Sequence, residues 1–288
     1  MPANTLAARL HQPGLISCPG VFDMISAKIA DAMNFDALYM TGYGVVASHL
    51  GLPDAGLATY TDMVGRVAQI AGGVGKPLIA DGDTGYGGLL NVEHTVRGYE
   101  AAGAAAIQIE DQEFPKKCGH TPNRRVIPMA DAAQKIRVAV ESRASKDFLI
   151  VARTDARAGH GLDEALRRGE AYAKAGADIL FIEAPESETE MRRIGEAFDL
   201  PLVANMVEGG RTPLLGKTEL EEIGYRIAIF PASGFLAAAQ ALRAVYRSIE
   251  AEGSTKGTDV PLYPFPEFSR LLGFERVWDF ERRHALGE

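Results

Sequence analysis

Short apolar runs alternate with longer amphipathic stretches along the whole chain. These runs are continuously apolar, which is the pattern of parallel strands that helices cover on both faces of the sheet. The pattern predicts strands at residues 15–17, 37–40, 77–80, 105–109, 148–152, 179–182, 202–204 and 227–230.

Between the strands, apolar residues recur at helical spacing. This spacing predicts helices at residues 24–34, 61–71, 92–102, 129–142, 162–175, 188–198, 218–223 and 235–250. Gly103, Gly176 and Gly224 each stand between a helix and the next strand, where glycine commonly ends a helix. Eight strand–helix repeats in 288 residues predict an α/β fold of the (β/α)8 TIM barrel type. A doubly wound open sheet is the structural alternative.

The C-terminal region differs from the repeats before it. Residues 251–266 are rich in Gly, Ser, Thr and Pro, and residues 267–284 return to helical spacing with many charges. We therefore predict a barrel at residues 1–251, and a linker and C-terminal helix at residues 252–288. A helix beyond a complete barrel must bury its apolar face, so we expect it to pack on a neighbouring subunit of a homo-oligomer.

Composition narrows the partners and the compartment. The net charge is −8 and there is no basic block, so we expect neither nucleic acid nor an anionic membrane as a partner. Cys18 and Cys118 form no disulfide framework, which favours a reducing cytoplasm. The first twelve residues lack the apolar core of a signal peptide, and we find no 18-residue apolar run.

Polar residues directly follow six consecutive predicted strands. Catalytic groups of a barrel lie at the C-terminal ends of its strands, so these positions predict an active site. The simpler interpretation is that strand ends are polar because they approach solvent, but it explains six chemically varied cases less well. The residues, in strand order, are Thr41, Gly42 and Tyr43, then Asp81 and Asp83, Glu110, Arg153, Glu183 and Asn205.

Three of these residues are carboxylates from two adjacent strands. Without Cys or His neighbours, Asp81, Asp83 and Glu110 favour a hard divalent cation, Mg²⁺ or Mn²⁺. Capping and turn hydrogen bonds are the alternative, since turns favour Asp for their own reasons. Arg153 emerges from an apolar strand and needs an anionic partner, either Glu183 or a substrate carboxylate.

Neutral groups at the same strand ends are suited to orienting a carboxylate. Thr41 and Asn205 can donate hydrogen bonds to one, and the main-chain amides of Gly42 and Tyr43 can form an anion-binding nest.

A thiol lies in the loop after the fourth strand. Residues 115–123 read Pro-Lys-Lys-Cys-Gly-His-Thr-Pro-Asn, which places Cys118 between Lys117 and His120. Nearby cations lower the pKa of a thiol and make it useful in proton transfer. Gly119 permits a tight turn. The alternative is that Cys118 is an incidental small residue of a loop.

Together these segments resemble the isocitrate lyase and phosphoenolpyruvate mutase superfamily over nearly the whole chain. Residues 116–120, Lys-Lys-Cys-Gly-His, resemble the lyase signature, and residues 81–87, Asp-Gly-Asp-Thr-Gly-Tyr-Gly, resemble the metal segment. Residues 109–112, 152–155 and 205–210 also match.

The resemblance implies a barrel whose eighth helix is exchanged between subunits, usually in tetramers. It implies Mg²⁺ at Asp81, with Asp83 and Glu110 reaching it through water. The product, a 2-oxo acid, would bind to the metal and to the Thr41–Tyr43 segment, Gly119, Asn205 and Arg153. The segment around Cys118 would be a mobile gating loop.

The implied reaction breaks the C2–C3 bond of a 2-hydroxy di- or tricarboxylate to give a 2-oxo acid, such as pyruvate, and a carboxylate. Tyr39, polarised by Arg153, would be the base for the C2 hydroxyl. Cys118 would protonate the leaving carbanion. Lys117 and His120 would tune its ionisation, and Glu183 would anchor His120 or the substrate.

Two departures from the family pattern indicate the substrate. Leu236 stands where methylisocitrate lyases carry an arginine, and Phe265 stands where they carry another. Without these cations a third substrate carboxylate would be uncompensated, so we expect a dicarboxylate with an apolar substituent, such as 2,3-dimethylmalate. The alternatives are oxaloacetate hydrolysis or decarboxylation and a carboxyphosphonate-type phosphonomutase. A non-catalytic binding barrel is disfavoured by the full set of site residues.

Overall fold

The computed structural model describes residues 5–119 and 124–285. Eight strands form one all-parallel sheet in the order β6-β5-β4-β3-β2-β1-β8-β7. The strands are β1 (Ile16–Val21), β2 (Leu38–Met40), β3 (Leu78–Asp81), β4 (Ala106–Glu110), β5 (Leu149–Thr154), β6 (Ile179–Ile182), β7 (Val203–Asn205) and β8 (Ile227–Phe230).

The two ends of this order meet. Leu180 of β6 forms a parallel bridge with Leu202, and its main-chain N–H donates to the carbonyl of Pro201 at 3.0 Å. The sheet therefore curls into a nearly closed barrel, which confirms the predicted (β/α)8 fold and excludes the doubly wound sheet, whose edge strands do not meet.

Helices surround the barrel, and a helix forms at each of the eight positions predicted up to residue 250. The three predicted helix stops, Gly103, Gly176 and Gly224, have φ angles of +95°, +99° and +107°, which favour glycine. The helices of the first part of the chain are α1 (Leu6–Leu10), α2 (Met24–Asp31), α3 (Gly42–Leu50), α4 (Tyr60–Gly73), α5 (Leu89–Ala101), α6 (Met129–Ser142), α7 (Arg157–His160), α8 (Leu162–Lys174), α9 (Glu188–Ala197) and α10 (Lys217–Ile223).

Three short helices, α1, α3 and α7, were not predicted. The most important for the site is α3, which lies where the sequence analysis predicts neither a strand nor a helix. Its glycines, Gly42 and Gly44, have low helix propensity, so the pattern does not favour a helix there. The helix starts because the Thr41 hydroxyl caps it by accepting a hydrogen bond from the Gly44 amide at 3.4 Å.

Side chains alternate along each strand between two apolar clusters. In β5, Leu149 and Val151 belong to a cluster drawn almost entirely from strand residues, whereas Ile150 and Ala152 belong to a larger one shared with the helices. The first cluster fills the barrel interior, and Leu6 of α1 belongs to it. The period of two in a strand therefore decides which residues point inward.

The chain divides into two compact units, residues 1–234 and residues 235–288. The second unit contains most of α11 (Ser233–Glu252), then α12 (Phe265–Leu271) and α13 (Phe274–His284). The predicted single helix at residues 267–284 is wrong in one respect, because Gly273 adopts a φ of +87° and separates α12 from α13. The packing of this unit on a neighbouring subunit stays a prediction.

Within residues 5–119 and 124–285, no helix has both the length and the apolar character that a bilayer crossing demands.

Candidate active site

The predicted site residues lie on the inward-facing positions of their strands. Arg153 follows Leu149 and Val151 at the same parity in β5, and Glu183 follows Ile179 and Phe181 after β6. Tyr39, Asp81, Glu110 and Asn205 continue the inward-facing series of β2, β3, β4 and β7 in the same way. The barrel therefore brings these side chains together at the C-terminal ends of its strands, as predicted.

Asp81 ends β3 directly beside the start of α3. A Cβ atom on Gly42 would lie 2.5 Å from Asp81 Oδ2, so only glycine allows α3 to approach this carboxylate so closely. The other oxygen, Asp81 Oδ1, accepts a hydrogen bond from the Asp83 amide at 3.0 Å. The Asp83 carbonyl accepts one from the Glu110 amide at 2.9 Å, which ties the ends of β3 and β4 together.

A buried lysine that the sequence analysis missed offsets part of the negative charge of these carboxylates. Lys116 Nζ lies 2.5 Å from carboxylate oxygens of both Asp54 and Asp83, and the lysine is only 4% exposed. Its neighbour Lys117, which was predicted to tune the ionisation of Cys118, is exposed. The main chain of Lys117 exchanges hydrogen bonds of 2.8 and 2.9 Å with the Gln112 side chain. Two adjacent lysines carry no signal that distinguishes them, because the loop decides which one is buried.

Burial raises the pKa values of the carboxylates in this region. The pKa of Asp83 rises to about 7 because burial outweighs the nearby ammonium of Lys116. Burial also raises the pKa of Glu110 well above its usual range, although Arg153 opposes the shift. Burial disfavours the charged form of Lys116, but Asp83, Glu110 and other carboxylates hold its pKa well above the usual value.

These residues fit a divalent cation. The described part of the chain contains no group of three His, Cys, Asp or Glu side chains arranged to hold a metal directly. However, Glu110 Oε1 is buried without a hydrogen-bond partner among the described residues, and the donors here are hard carboxylate oxygens. Such a set suits Mg²⁺ or Mn²⁺, since Mg²⁺ is usually bound by one or two carboxylates and keeps several waters.

Arg153 is held chiefly by a carboxylate that the sequence analysis did not assign to it. Its Nε and Nη2 atoms each donate to Asp155 at 2.9 Å, while oxygens of Glu110 and Glu183 lie 3.4 and 3.9 Å from Nε. The predicted partner, Glu183, is therefore the more distant one. The guanidinium also lies 5.2 Å from the centre of the Phe181 ring. Burial would raise the pKa of Asp155, but Arg153 and Arg124 hold it below its usual range.

Tyr39 is buried close to Asp81 and Arg153. Its hydroxyl donates to Gln108 Oε1 at 3.2 Å, and burial raises its pKa well above 10, with Asp81 adding to the shift and Arg153 opposing it. This direction does not favour a phenolate, so the role of Tyr39 as a base stays a prediction.

The neutral residues of the site occupy distinct positions. Asn205 Nδ2 donates to both oxygens of the fully buried Glu183 at 3.3 and 3.2 Å, so the amide orients this carboxylate. Thr41 is buried, and its hydroxyl caps α3. Tyr43 is 41% exposed at the start of α3.

The thiol segment, residues 115–119, packs directly against this cluster. The Cys118 amide donates to the Asp54 carbonyl at 3.2 Å, and the residue is half-buried. A Cβ atom on Gly119 would clash with Arg153 Nη2 and lie 2.8 Å from Glu183 Oε1. Glycine therefore permits the segment to touch the charged groups. His120 lies outside the described residues.

The arrangement combines the parts needed for chemistry on a carboxylate anion. The Arg153 guanidinium is suited to an anion and the carboxylates to a cation, and the segment that contains Cys118 lies at the same end of the barrel.

Comparisons with known proteins agree with this description. The family model described as phosphoenolpyruvate phosphomutase matches residues 6–250. The chain is 48% identical to 2,3-dimethylmalate lyase of Eubacterium barkeri over 95% of this chain and 94% of that protein. It is 42% identical to 2-methylisocitrate lyase of Aeropyrum pernix, over 99% and 90%.

A solved structure is also closely similar. Oxaloacetate acetylhydrolase in complex with 3,3-difluorooxalacetate superposes with a TM-score of 0.92 at 34% identity, over 99% of this chain and 97% of that one. The family match and these identities over nearly full length confirm the resemblance drawn from the sequence motifs. The chain belongs to the phosphoenolpyruvate mutase and isocitrate lyase superfamily and is an enzyme of that superfamily.

Proposed function

We propose that this enzyme is a Mg²⁺-dependent carbon–carbon lyase that cleaves a 2-hydroxy dicarboxylate, with an alkylmalate such as 2,3-dimethylmalate as substrate. The observation that carries the proposal is the packing of the Cys118–Gly119 segment against Arg153 and Glu183 at the carboxylate-rich end of the barrel. The 48% identity to a protein named 2,3-dimethylmalate lyase supports the choice of substrate.

The chain's own residues have distinct tasks in this reaction. Arg153 binds the C1 carboxylate, and Thr41 with the amides of Gly42 and Tyr43 orients it. Asp81 would hold the cation, and Asp83 and Glu110 would support it. When bound, the cation supplies Lewis-acid stabilisation of negative charge on oxygen.

Proton transfers complete the cycle. Tyr39 is the candidate acceptor of the C2 hydroxyl proton. Cleavage of the C2–C3 bond then leaves a carbanion beside a carboxylate. Cys118 donates a proton to that carbon, and the packed segment keeps water away from it. For 2,3-dimethylmalate, the balanced products are pyruvate and propionate.

Oxaloacetate hydrolysis is the second candidate. Its specific support is the TM-score of 0.92 to oxaloacetate acetylhydrolase. A solved structure of 2,3-dimethylmalate lyase matches at the same 34% identity with a TM-score of 0.89, and the 2,3-dimethylmalate lyase of Eubacterium barkeri matches at 48%. The lyase is therefore the preferred proposal.

A panel of substrates tests these assignments. The purified enzyme with MgCl₂ is incubated with 2,3-dimethylmalate, methylisocitrate, oxaloacetate and phosphonopyruvate, and the products are identified by proton and phosphorus NMR. We expect pyruvate from dimethylmalate, with loss of turnover in EDTA. Faster turnover of methylisocitrate or oxaloacetate would refute the substrate assignment, and a new phosphonate product would refute the lyase chemistry.

A substitution tests the thiol. Cys118→Ser keeps the size of the side chain but replaces a thiol with a far weaker acid, so we expect dimethylmalate turnover to fall by about 10²–10⁴-fold, as for loss of a general acid. Full C–C cleavage by the variant would refute the role of Cys118.

We also propose that the enzyme acts in the cytoplasm as a homo-oligomer, a tetramer by family resemblance. Large apolar side chains of the second unit support this, since Phe265 is 81% exposed, Phe280 57% and Trp278 43%. Exposed patches of this kind mark protein interaction surfaces.

A further inference from the structure

A second buried arginine, Arg124, shares a carboxylate with Arg153. Arg124 Nη1 pairs with Asp155 Oδ1, the same oxygen that accepts from Arg153 Nη2. The side chain of Arg124 is 1% exposed and that of Asp155 is 0% exposed, so this carboxylate bridges two guanidinium groups away from water. The proposed reaction does not use Arg124.

The charges around Arg153 explain why a second cation is useful. Its nearest carboxylates are Asp155 at 2.9 Å, Glu110 at 3.4 Å and Glu183 at 3.9 Å. Carboxylates packed around one cation offset its charge and so oppose the approach of an anionic substrate, and buried charges are weakly screened. Arg124 returns one positive charge to this cluster by sharing Asp155.

Asp155 also controls the direction of the Arg153 guanidinium. It occupies the edge formed by Nε and Nη2, which leaves Nη1 for another acceptor. The main-chain amide of Asp155 donates to Asp111 Oδ1 at 2.8 Å, which fixes its backbone, and the pairs with Arg153 and Arg124 hold its carboxylate.

Asp111 is itself fixed by a buried network. Its second oxygen, Oδ2, accepts from Thr154 Oγ1 at 2.6 Å, Tyr172 Oη at 2.7 Å and Arg168 Nη1 at 3.0 Å. A network with this many satisfied bonds is rigid. The orientation of Arg153 is therefore inherited from α8 and the end of β5.

Arg124 is also a costly residue to bury. Its Nε and Nη2 atoms are buried without hydrogen-bond partners among the described residues. Unsatisfied donors of a buried cation destabilise the fold, so stability does not explain the burial of Arg124.

We propose that Arg124 and Asp155 are positioning residues for Arg153: Asp155 fixes the guanidinium edge, and Arg124 offsets the Asp155 charge so that Arg153 remains available to a substrate carboxylate. This inference rests on the proposed function of Arg153 in binding a dicarboxylate. Neither residue touches the reacting atoms.

Oxalate is a suitable probe, because its two adjacent carboxylates resemble the ionised 2-oxo acid enolate. Its affinity is measured by isothermal titration calorimetry with excess MgCl₂ for the full chain and three variants. Arg124→Gln removes the charge, and Arg124→Lys keeps it. Arg125→Gln is the matched control, since Arg125 is the next residue, 78% exposed, and pairs with Glu113 at 2.7 Å on the surface.

We expect Arg124→Gln to weaken oxalate binding about tenfold, the effect of about one charge-assisted interaction. Arg124→Lys should recover most of the affinity, and Arg125→Gln should bind like the unmodified enzyme. With dimethylmalate, Arg124→Gln should raise KM more than it lowers kcat, because the lost interaction concerns binding of the carboxylate.

Thermal unfolding separates positioning from folding. If Arg124→Gln lowers only the melting temperature and binds oxalate with unchanged affinity, the inference is overturned. If Arg124→Gln does not fold, the Arg124→Lys variant is compared with the unmodified enzyme. An oxalate affinity about tenfold lower would overturn the inference, because the charge is retained, and a similar affinity would support it. Failure of the unmodified enzyme to bind oxalate would instead overturn the proposed function and this inference with it.

Discussion

Lys116→Met removes the ammonium group that lies 2.5 Å from both Asp54 and Asp83. The three side chains are 4%, 5% and 6% exposed, so water cannot replace the lost partner. Removing one member of a buried ion pair costs about 3–5 kcal/mol, because the remaining charge is left uncompensated. Methionine preserves the length of the side chain, so we expect the free energy of unfolding to fall by this amount at pH 8.

The pH dependence of the loss follows from Asp83. Its folded pKa is about 7, above the ordinary value of 3.8, and Lys116 lowers it, so the variant should have a higher folded pKa. The folded state therefore binds more protons than the unfolded state up to that pKa, and stability falls by about 1.4 kcal/mol per pH unit. This fall stops near pH 7 in the unmodified enzyme but continues in the variant. The difference between them should grow by about 1.4 kcal/mol from pH 7 to pH 8.

The assay is urea unfolding followed by circular dichroism at pH 6, 7 and 8, at one protein concentration. Lys117→Met is the control, because it removes the same charge from the adjacent exposed residue and should change stability by less than about 0.5 kcal/mol. Equal unfolding midpoints for the two variants, or a difference that shrinks as pH rises, would refute the reasoning.

Three further outcomes follow from the same geometry. Gly119→Ala should weaken oxalate binding with little change in melting temperature, because the added Cβ would meet Arg153 Nη2. Gly65→Ala is the control, since no atom lies within 4 Å of the added Cβ there. Equal oxalate affinities of the two variants would contradict this prediction. Burial raises the pKa of Glu110 and takes that of Asp83 to about 7, so Mg²⁺ binding should release protons and tighten as pH rises towards 8. Calorimetry in two buffers of different ionisation enthalpy measures the release, and identical heats would exclude it. Static light scattering at micromolar concentration should show an oligomer, and deletion of α13 should lower its mass; a monomeric full chain would refute the predicted subunit packing.

Much of the architecture follows from local pattern. Short, continuously apolar runs are the pattern of buried parallel strands, and helical spacing between them predicts either a barrel or a doubly wound sheet. The bridge between Leu180 and Leu202 decides for the barrel. Helix α3 was missed because its glycines are poor helix formers, although Gly42 is required beside Asp81. The division between α12 and α13 was missed because a single glycine, Gly273, within an amphipathic stretch does not by itself end a helix.

The sequence also predicted which residues share one end of the barrel. Polar residues that directly follow apolar strands share one end of any parallel barrel. The sequence alone therefore groups the side chains of Asp81, Glu110, Arg153, Glu183 and Asn205. The inward parity of each strand, which is a period of two, then places their side chains inside.

Tertiary structure alone decided how these charges are paired. Lys116 and Lys117 are the same residue type at adjacent positions, and only the packing of the loop against Asp54 buries the first and exposes the second. Similarly, Arg153 pairs most closely with Asp155 rather than Glu183. Apolar burial depends on local periodicity, which the sequence carries, whereas ion pairing depends on atomic distances between segments far apart in the chain, which exist only after the barrel has closed.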